Sequence, residues 1–255
     1  MIGRRLILAV QFLTRLPTPQ IRDFRDEDLT RSAVFHPLVG LIIGVLLAAP
    51  LWVLADRPWL AAVLALLAWV WVTGALHLDG LADVADGLGA AHRDPSRFLE
   101  VLKDPHTGAF AVVILVVQLL LKLVLLAELV GTRWWLGIIL VPAWARWGTL
   151  WWSRRLSPIA QAGMAERFSW RLSMRAVTGW AIVLTVVSVA TPPLLVAVLL
   201  VPVISAYWRR RLGGISGDCL GASVEVLETL LLLALVLGAH LAAHVDVLGR
   251  LGPLG

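Results

Sequence analysis

The sequence predicts an all-α, polytopic integral membrane helical bundle of about seven spans, with its N-terminus cytoplasmic. Three observations predict it. The 255 residues are 59% hydrophobic and only 15% charged, with a mean hydropathy of +0.85, too little polar surface for a soluble domain of this length. Apolar stretches of roughly 20 residues recur along the whole chain. Lys and Arg are divided very unevenly among the segments that join those stretches. A membrane barrel would instead show alternating segments of ~10 residues, and none occur.

The first element is a short interfacial helix over 4–14, where Arg4 and Arg5 precede the apolar run Leu6 to Leu13. A cleaved signal is disfavoured, because Thr14-Arg15-Leu16-Pro17 follows that run rather than a small-residue cleavage site. Spans are expected at 34–55, 58–77, 108–130, 134–152, 176–190, 194–208 and 219–241. The fifth and sixth are short for a crossing of ~20 residues. They flank Thr191-Pro192-Pro193, so they form either two spans or one re-entrant pair. Trp134, Trp135, Trp151 and Trp152 stand at expected span ends and read as interfacial anchors.

Charge placement sets the orientation. With those spans, 17 of the 22 Lys and Arg residues fall on one side, only Arg57, Arg133 and Arg250 on the other, and Lys122 and Arg146 inside spans. The crowded side is therefore cytoplasmic. This also accounts for the net charge of +5: the basic residues are topogenic or reach lipid headgroups, and nucleic acid is not an expected partner. Cys219 is the sole cysteine, which excludes a disulfide framework and a cysteine-based zinc site. Residues 1–255 read as a single membrane-embedded domain, with cytoplasmic loops at 78–107, 154–175 and 209–218.

The densest chemistry is His77-Leu78-Asp79-Gly80-Leu81-Ala82-Asp83-Val84-Ala85-Asp86-Gly87. On a helix, Asp79, Asp83 and Asp86 return to nearly one angle and form an acidic stripe. Like charges on one face repel, and hard oxygen ligands so arranged suit Mg²⁺ or Mn²⁺. The bland alternative is a solvated helix face, but the residues between the acids are apolar and the segment extends a span. His77 projects away from the stripe and reads as a packed or capping residue; His36 reads as structural.

A second group is Asp218, Glu225 and Glu228, preceded by Gly213-Gly214-Ile215-Ser216-Gly217. Asp218 and Glu225 share a face, and Glu225 and Glu228 lie inside an apolar span. Carboxylates there are costly and mark a functional interior, unless they pair with Arg146, another intramembrane charge. A third stretch, Arg97 to Gly108, carries Lys103 and Asp104 ahead of Pro105. Lys103 and Arg97 could meet phosphate, and Asp104 could ligate metal or accept a proton; the alternative is an interfacial helix with topogenic basics. Two acid-rich helix ends beside cytoplasmic basics suit metal-assisted chemistry on a phosphate or pyrophosphate.

These residues resemble a known family. Phe12-Leu13-Thr14-Arg15-Leu16-Pro17-x-Pro19, Pro37-Leu38-Val39-Gly40-x-x-x-Gly44, His77-Leu78-Asp79-Gly80-Leu81-Ala82-Asp83-x-x-Asp86-Gly87, Lys103-Asp104-x-x-x-Gly108 and Gly217-Asp218-x-Leu220-Gly221-Ala222-x-x-Glu225-x-x-Glu228 are similar, in order and over nearly the whole chain, to the cobalamin synthases, or adenosylcobinamide-GDP ribazoletransferases. His36 and Cys219 depart from the usual pattern without removing a carboxylate. The resemblance implies a Mg²⁺-dependent transferase of the bacterial inner membrane that joins adenosylcobinamide-GDP to α-ribazole, or to its 5′-phosphate, and releases GMP. It also leaves room for a homo-oligomer or for other late enzymes of that pathway as partners. The expected roles follow. Asp79, Asp83 and Asp86 hold Mg²⁺, with Asp218, Glu225 and Glu228 as further ligands of metal or substrate. Asp104 is the candidate base, and Arg15, Lys103 and Arg146 contact phosphate. Other membrane transferases, of the CDP-alcohol phosphotransferase or prenyltransferase type, and cation-coupled transporters compete with this reading. The first differ in acid spacing, and the second should show paired halves.

Overall fold

Long apolar runs leave the backbone no option but to satisfy its own hydrogen bonds, and the chain is accordingly helical nearly throughout. The computed structural model describes residues 2–91, 95–102, 106–159 and 172–251. Among them lie α1 (Ile2–Leu13), α2 (Asp26–Ser32), α3 (His36–Val53), α4 (Pro58–Thr73), α5 (Leu76–Ala91), α6 (Pro95–Val101), α7 (Ala109–Leu129), α8 (Val141–Arg155), α9 (Met174–Ser188), α10 (Ala197–Leu212) and α11 (Gly217–Leu251). Short 3₁₀ turns lead into α3, α8 and α10. Lys103 and Asp104, and most of the expected 154–175 loop, lie outside the described residues.

Each of the seven expected spans falls on a helix. Among the described residues, four segments are long and apolar enough to cross a bilayer: Glu27–Val53, Ala109–Leu129, Pro192–Leu212 and Gly217–Val247. They become five if α4 and α5 count as one broken span. α4, α8 and α9 have only 15 or 16 residues. At ~1.5 Å per residue they fall short of a ~30 Å hydrocarbon core. The expected loop 78–107 is largely helix, as α5 and α6.

The expectation that the acidic segment extends a span is corrected by one turn. α4 ends at Gly74 (φ +61°), Ala75 follows with φ +59°, and α5 leaves the axis of α4 by 86°. Gly74 supplies the left-handed conformation cheaply; Ala75 adopts it at a cost. The acidic face therefore lies across the direction of α4 and beyond the four segments long enough to span on their own.

α11 is the central post, packed against α5, α7 and α8, while α3 packs against α4 and α8. Gly40 and Gly44 bring α3 against the chain entering α8. A β-carbon would stand 2.5 Å from the Ala143 Cα at Gly40 and 2.3 Å from the Ile139 carbonyl oxygen at Gly44. Such small-residue contacts are how membrane helices approach closely. The tryptophans of α8 tie it to its neighbours. Trp144 donates to the Ser188 hydroxyl, Trp147 to the Val177 carbonyl and Trp152 to the Val201 carbonyl, each at 2.9 Å. Trp152 is thus a core residue with no exposure, not the interfacial anchor its position suggested, because α8 is enclosed by helices rather than lipid.

Candidate active site

Two helices meet at one point to make the site. Gly80 on α5 and Gly221 on α11 let the backbones nearly touch: a β-carbon at Gly80 would lie 2.9 Å from the Asp218 carbonyl oxygen, and one at Gly221 would lie 3.4 Å from the His77 Cα. Ser216 steadies the start of α11, its hydroxyl accepting from the Cys219 N–H at 3.1 Å. Asp218 follows in the first turn, where a carboxylate is favoured. The crossing thereby sets Asp218 beside Asp79 and Asp83.

Asp79 is exposed and Asp83 and Asp218 are half-buried. Burial, reinforced by the like charges of Asp79, Asp218 and Asp86, raises the Asp83 carboxyl from the ordinary carboxylate range to about 6. Four acids thus share one field, as the stripe implied. Asp86, however, has a second commitment. Its carboxylate accepts from the Gly108 N–H at 2.6 Å and the Ala111 N–H at 3.0 Å, capping α7 across 22 residues of sequence. Among the described residues, no three His, Cys, Asp or Glu side chains converge into a ready-made metal cage.

Two cavities adjoin the stripe. One, of about 310 Å³, is lined by Phe12, His36, His77, Asp79, Ser153 and Asp218 among others. The other, of about 670 Å³, is lined by Arg15, Asp79, Asp83 and Thr107 among others. Phe12, Leu76 and Asp79 border both. Arg15 is held there by its backbone, whose N–H donates to the Val72 carbonyl at 2.7 Å. Its side chain passes over Gly74, where a β-carbon would be 2.3 Å from Nε.

Behind this site lies a buried ionic cluster. Lys122 on α7 donates to Glu225 and Glu228, each at 2.7 Å. Arg146 on α8 pairs with Glu228, and its Nη2 lies 3.3 Å from His77 Nδ1. Gln118 donates to Glu225 Oε2 and the Thr229 hydroxyl, both at 2.8 Å. Lys122 also sits 4.1 Å above the Trp69 ring. Glu228 and Arg146 have no exposure and Lys122 and Glu225 almost none. Two cations face two anions, the condition under which charges persist in a low-dielectric interior. The structure therefore separates Arg146, Glu225 and Glu228 from Asp79, Asp83 and Asp218, and joins the two groups through His77, which borders the smaller cavity. The pairing with Arg146, one alternative open from sequence, is found for Glu228, while Glu225 pairs with Lys122.

Sequence reasoning passed over Lys122 and Gln118. They lie four residues apart on one face of an apolar helix, which was signal enough to expect interior partners. Nothing local pointed to Asp86 as a remote helix cap.

Comparison with known proteins agrees with the geometry. A family model described as cobalamin-5-phosphate synthase matches residues 5–236. A protein of Laribacter hongkongensis is 54% identical over 93% of this chain and 98% of its own. One of Thiobacillus denitrificans is 47% identical over 90% and 94%, and one of Novosphingobium aromaticivorans 49% identical over 92% and 96%. All three are named adenosylcobinamide-GDP ribazoletransferase. No solved structure matches the chain significantly. With a helical membrane bundle, an acid-lined cleft and full-length relatives in agreement, the chain belongs to the cobalamin-5-phosphate synthase family and is a transferase of cobalamin biosynthesis.

Proposed function

We propose that the chain transfers the adenosylcobinamide-phosphate moiety of adenosylcobinamide-GDP to a free ribose hydroxyl of α-ribazole, or of α-ribazole 5′-phosphate, releasing GMP. The observation that carries the reading is the gathering of Asp79, Asp83 and Asp218 around the Gly80–Gly221 crossing, with Asp79 and Asp83 lining a cleft that also holds Arg15. The excess of basic residues on that side of the sequence supports an inner-membrane protein whose site opens to the cytoplasm, where nucleotide substrates occur.

The acids fit Mg²⁺. Several carboxylates crowd one field strongly enough to raise the Asp83 carboxyl, and a divalent cation relieves that repulsion. Mg²⁺ usually takes one or two carboxylates, with water and substrate phosphate completing its shell, so no all-protein cage is required. One or two of Asp79, Asp83 and Asp218 would hold it, and when bound it would neutralise charge on the pyrophosphate oxygens. Arg15 contacts the same group as a fork donor. The new bond joins the acceptor's ribose hydroxyl oxygen to the phosphorus that carries cobinamide. The bond broken joins that phosphorus to the bridging oxygen, which leaves with GMP. The hydroxyl proton passes to a nearby carboxylate.

The test is GMP release by washed membranes given adenosylcobinamide-GDP, α-ribazole and Mg²⁺. Release should require all three and vanish in Asp83→Asn at unchanged expression. Near-normal release from that variant would sink the assignment of the acidic stripe.

A further inference from the structure

We infer that the smaller cavity beside Asp79 receives the methylated bicyclic base of the nucleoside acceptor, which leaves the corrinoid donor in the wider cleft; this assignment rests on the reaction proposed above. Size argues first. Small-molecule pockets run from about 300 to 1,000 Å³, and this cavity is about 310 Å³. It admits a nucleoside and cannot admit a corrin macrocycle. The wider cleft, with Arg15 beside Asp79 and Asp83, suits the pyrophosphate of the donor.

The lining argues for the acceptor base. Leu13, Ala33, Leu150 and Leu172 form apolar wall, none more than 6% exposed. A dimethylbenzimidazole presents two methyl groups and no exocyclic donor, which suits that wall. Phe12 and His36 supply a flat surface, their rings 5.9 Å apart and 16° from parallel, along which a planar base can stack.

His77 supplies a specific polar contact. Arg146 can only donate, so His77 Nδ1, 3.3 Å from Nη2, must be the acceptor. The ring proton of the neutral imidazole is therefore on Nε2, on a ring that borders the cavity. A benzimidazole riboside has one unsubstituted ring nitrogen, an acceptor, which complements that donor. The buried cluster of Lys122, Glu225, Glu228 and Arg146 then gains a purpose at a distance: it holds His77 in one tautomer. With the base so seated, the ribose points to the rim, where Asp79 and Asp218 stand.

The test uses the purified full chain with ribosides of 5,6-dimethylbenzimidazole and of unmethylated benzimidazole. The wild type should favour the dimethylated base by about tenfold in kcat/KM, the scale expected for filling an apolar pocket. Ala33→Leu, which fills the cavity, should reverse that preference while KM for adenosylcobinamide-GDP stays within about twofold. Ser153→Val fills the same space from α8 and serves if the first variant fails to fold. An unchanged base preference in the folded variant overturns the assignment of the cavity alone. A rise in the adenosylcobinamide-GDP KM instead would give the cavity to guanosine and also overturn it. Absence of GMP from the wild type with every riboside overturns the reaction itself and the inference with it.

Discussion

Gly80 of α5 faces Asp218 of α11 so closely that a β-carbon would stand 2.9 Å from the Asp218 carbonyl oxygen and 3.1 Å from its Cα. Both neighbours are backbone, so neither can swing aside. One carboxylate of the site is thus placed relative to another by the absence of a single methyl group.

Gly80→Ala must therefore push the two helices apart. Overpacking of this kind costs about 1–3 kcal/mol, and the displacement separates Asp79 from Asp218. Turnover should fall by at least about tenfold, because small misplacements of catalytic groups are expensive. Gly179→Ala is the control: a β-carbon there meets nothing within 4 Å. GMP release and thermal melting of both variants check the claim, and equal behaviour would remove the crossing as the organiser of the site.

The ionic cluster predicts a rescue. Glu228→Gln leaves Lys122 and Arg146 facing Glu225 alone. Breaking a buried pair from one side costs about 3–5 kcal/mol. Lys122→Met likewise leaves two glutamates against Arg146. Adding Glu225→Gln to Lys122→Met restores the balance, leaving Arg146 with Glu228. The double variant should melt higher than Lys122→Met alone. Additive losses would show that the cluster is not one electrostatic unit.

Asp86 separates capping from ligation. Its two hydrogen bonds, to the Gly108 and Ala111 N–H groups, satisfy the start of α7. Asp86→Ala should cost about 0.5–2 kcal/mol, the range for a lost helix cap. Asp86→Asn keeps a good capping residue and should recover most of that stability and of the turnover. If Asp86→Asn is instead as inactive as Asp83→Asn, Asp86 acts directly in the chemistry.

The sequence disclosed these parts unequally, for physical reasons. Hydropathy located the long apolar helices but not α2 or α6, and helical spacing put Asp79, Asp83 and Asp86 on one face, because both signals depend on neighbours along the chain. The bend at Gly74–Ala75 escaped notice, since Ala75 is an ordinary residue in an uncommon conformation. Trp152 at a span end looked like an anchor because sequence does not say whether lipid or protein lies outside. Lys122 found its partners more than 100 residues away, a distance over which periodicity carries no information. Arg146 and Glu228 were each recognisable as intramembrane charges; that they neutralise each other while His77 links them to the cleft required the packing of α5, α8 and α11.

The raised Asp83 carboxyl gives a dependence on pH and metal with a definite sign. An unfolded aspartate titrates near pH 4, and in the fold Asp83 titrates near 6. Between these values the folded chain binds more protons than the unfolded one, so stability falls as pH rises. The contribution of Asp83 is fully present below about pH 4 and lost above about pH 6. A divalent cation favours the ionised acids, so protons compete with it. Mg²⁺ should therefore raise the melting temperature little at about pH 5 and clearly at about pH 7.5, where the acids are charged and unrelieved. Asp83→Asn should flatten the metal-free dependence over that window and shrink the Mg²⁺ response at the higher pH. Melting curves of wild type and variant, with Mg²⁺ and with a chelator, decide it. A Mg²⁺ shift of equal size at both pH values would mean that the ion does not bind through these carboxylates.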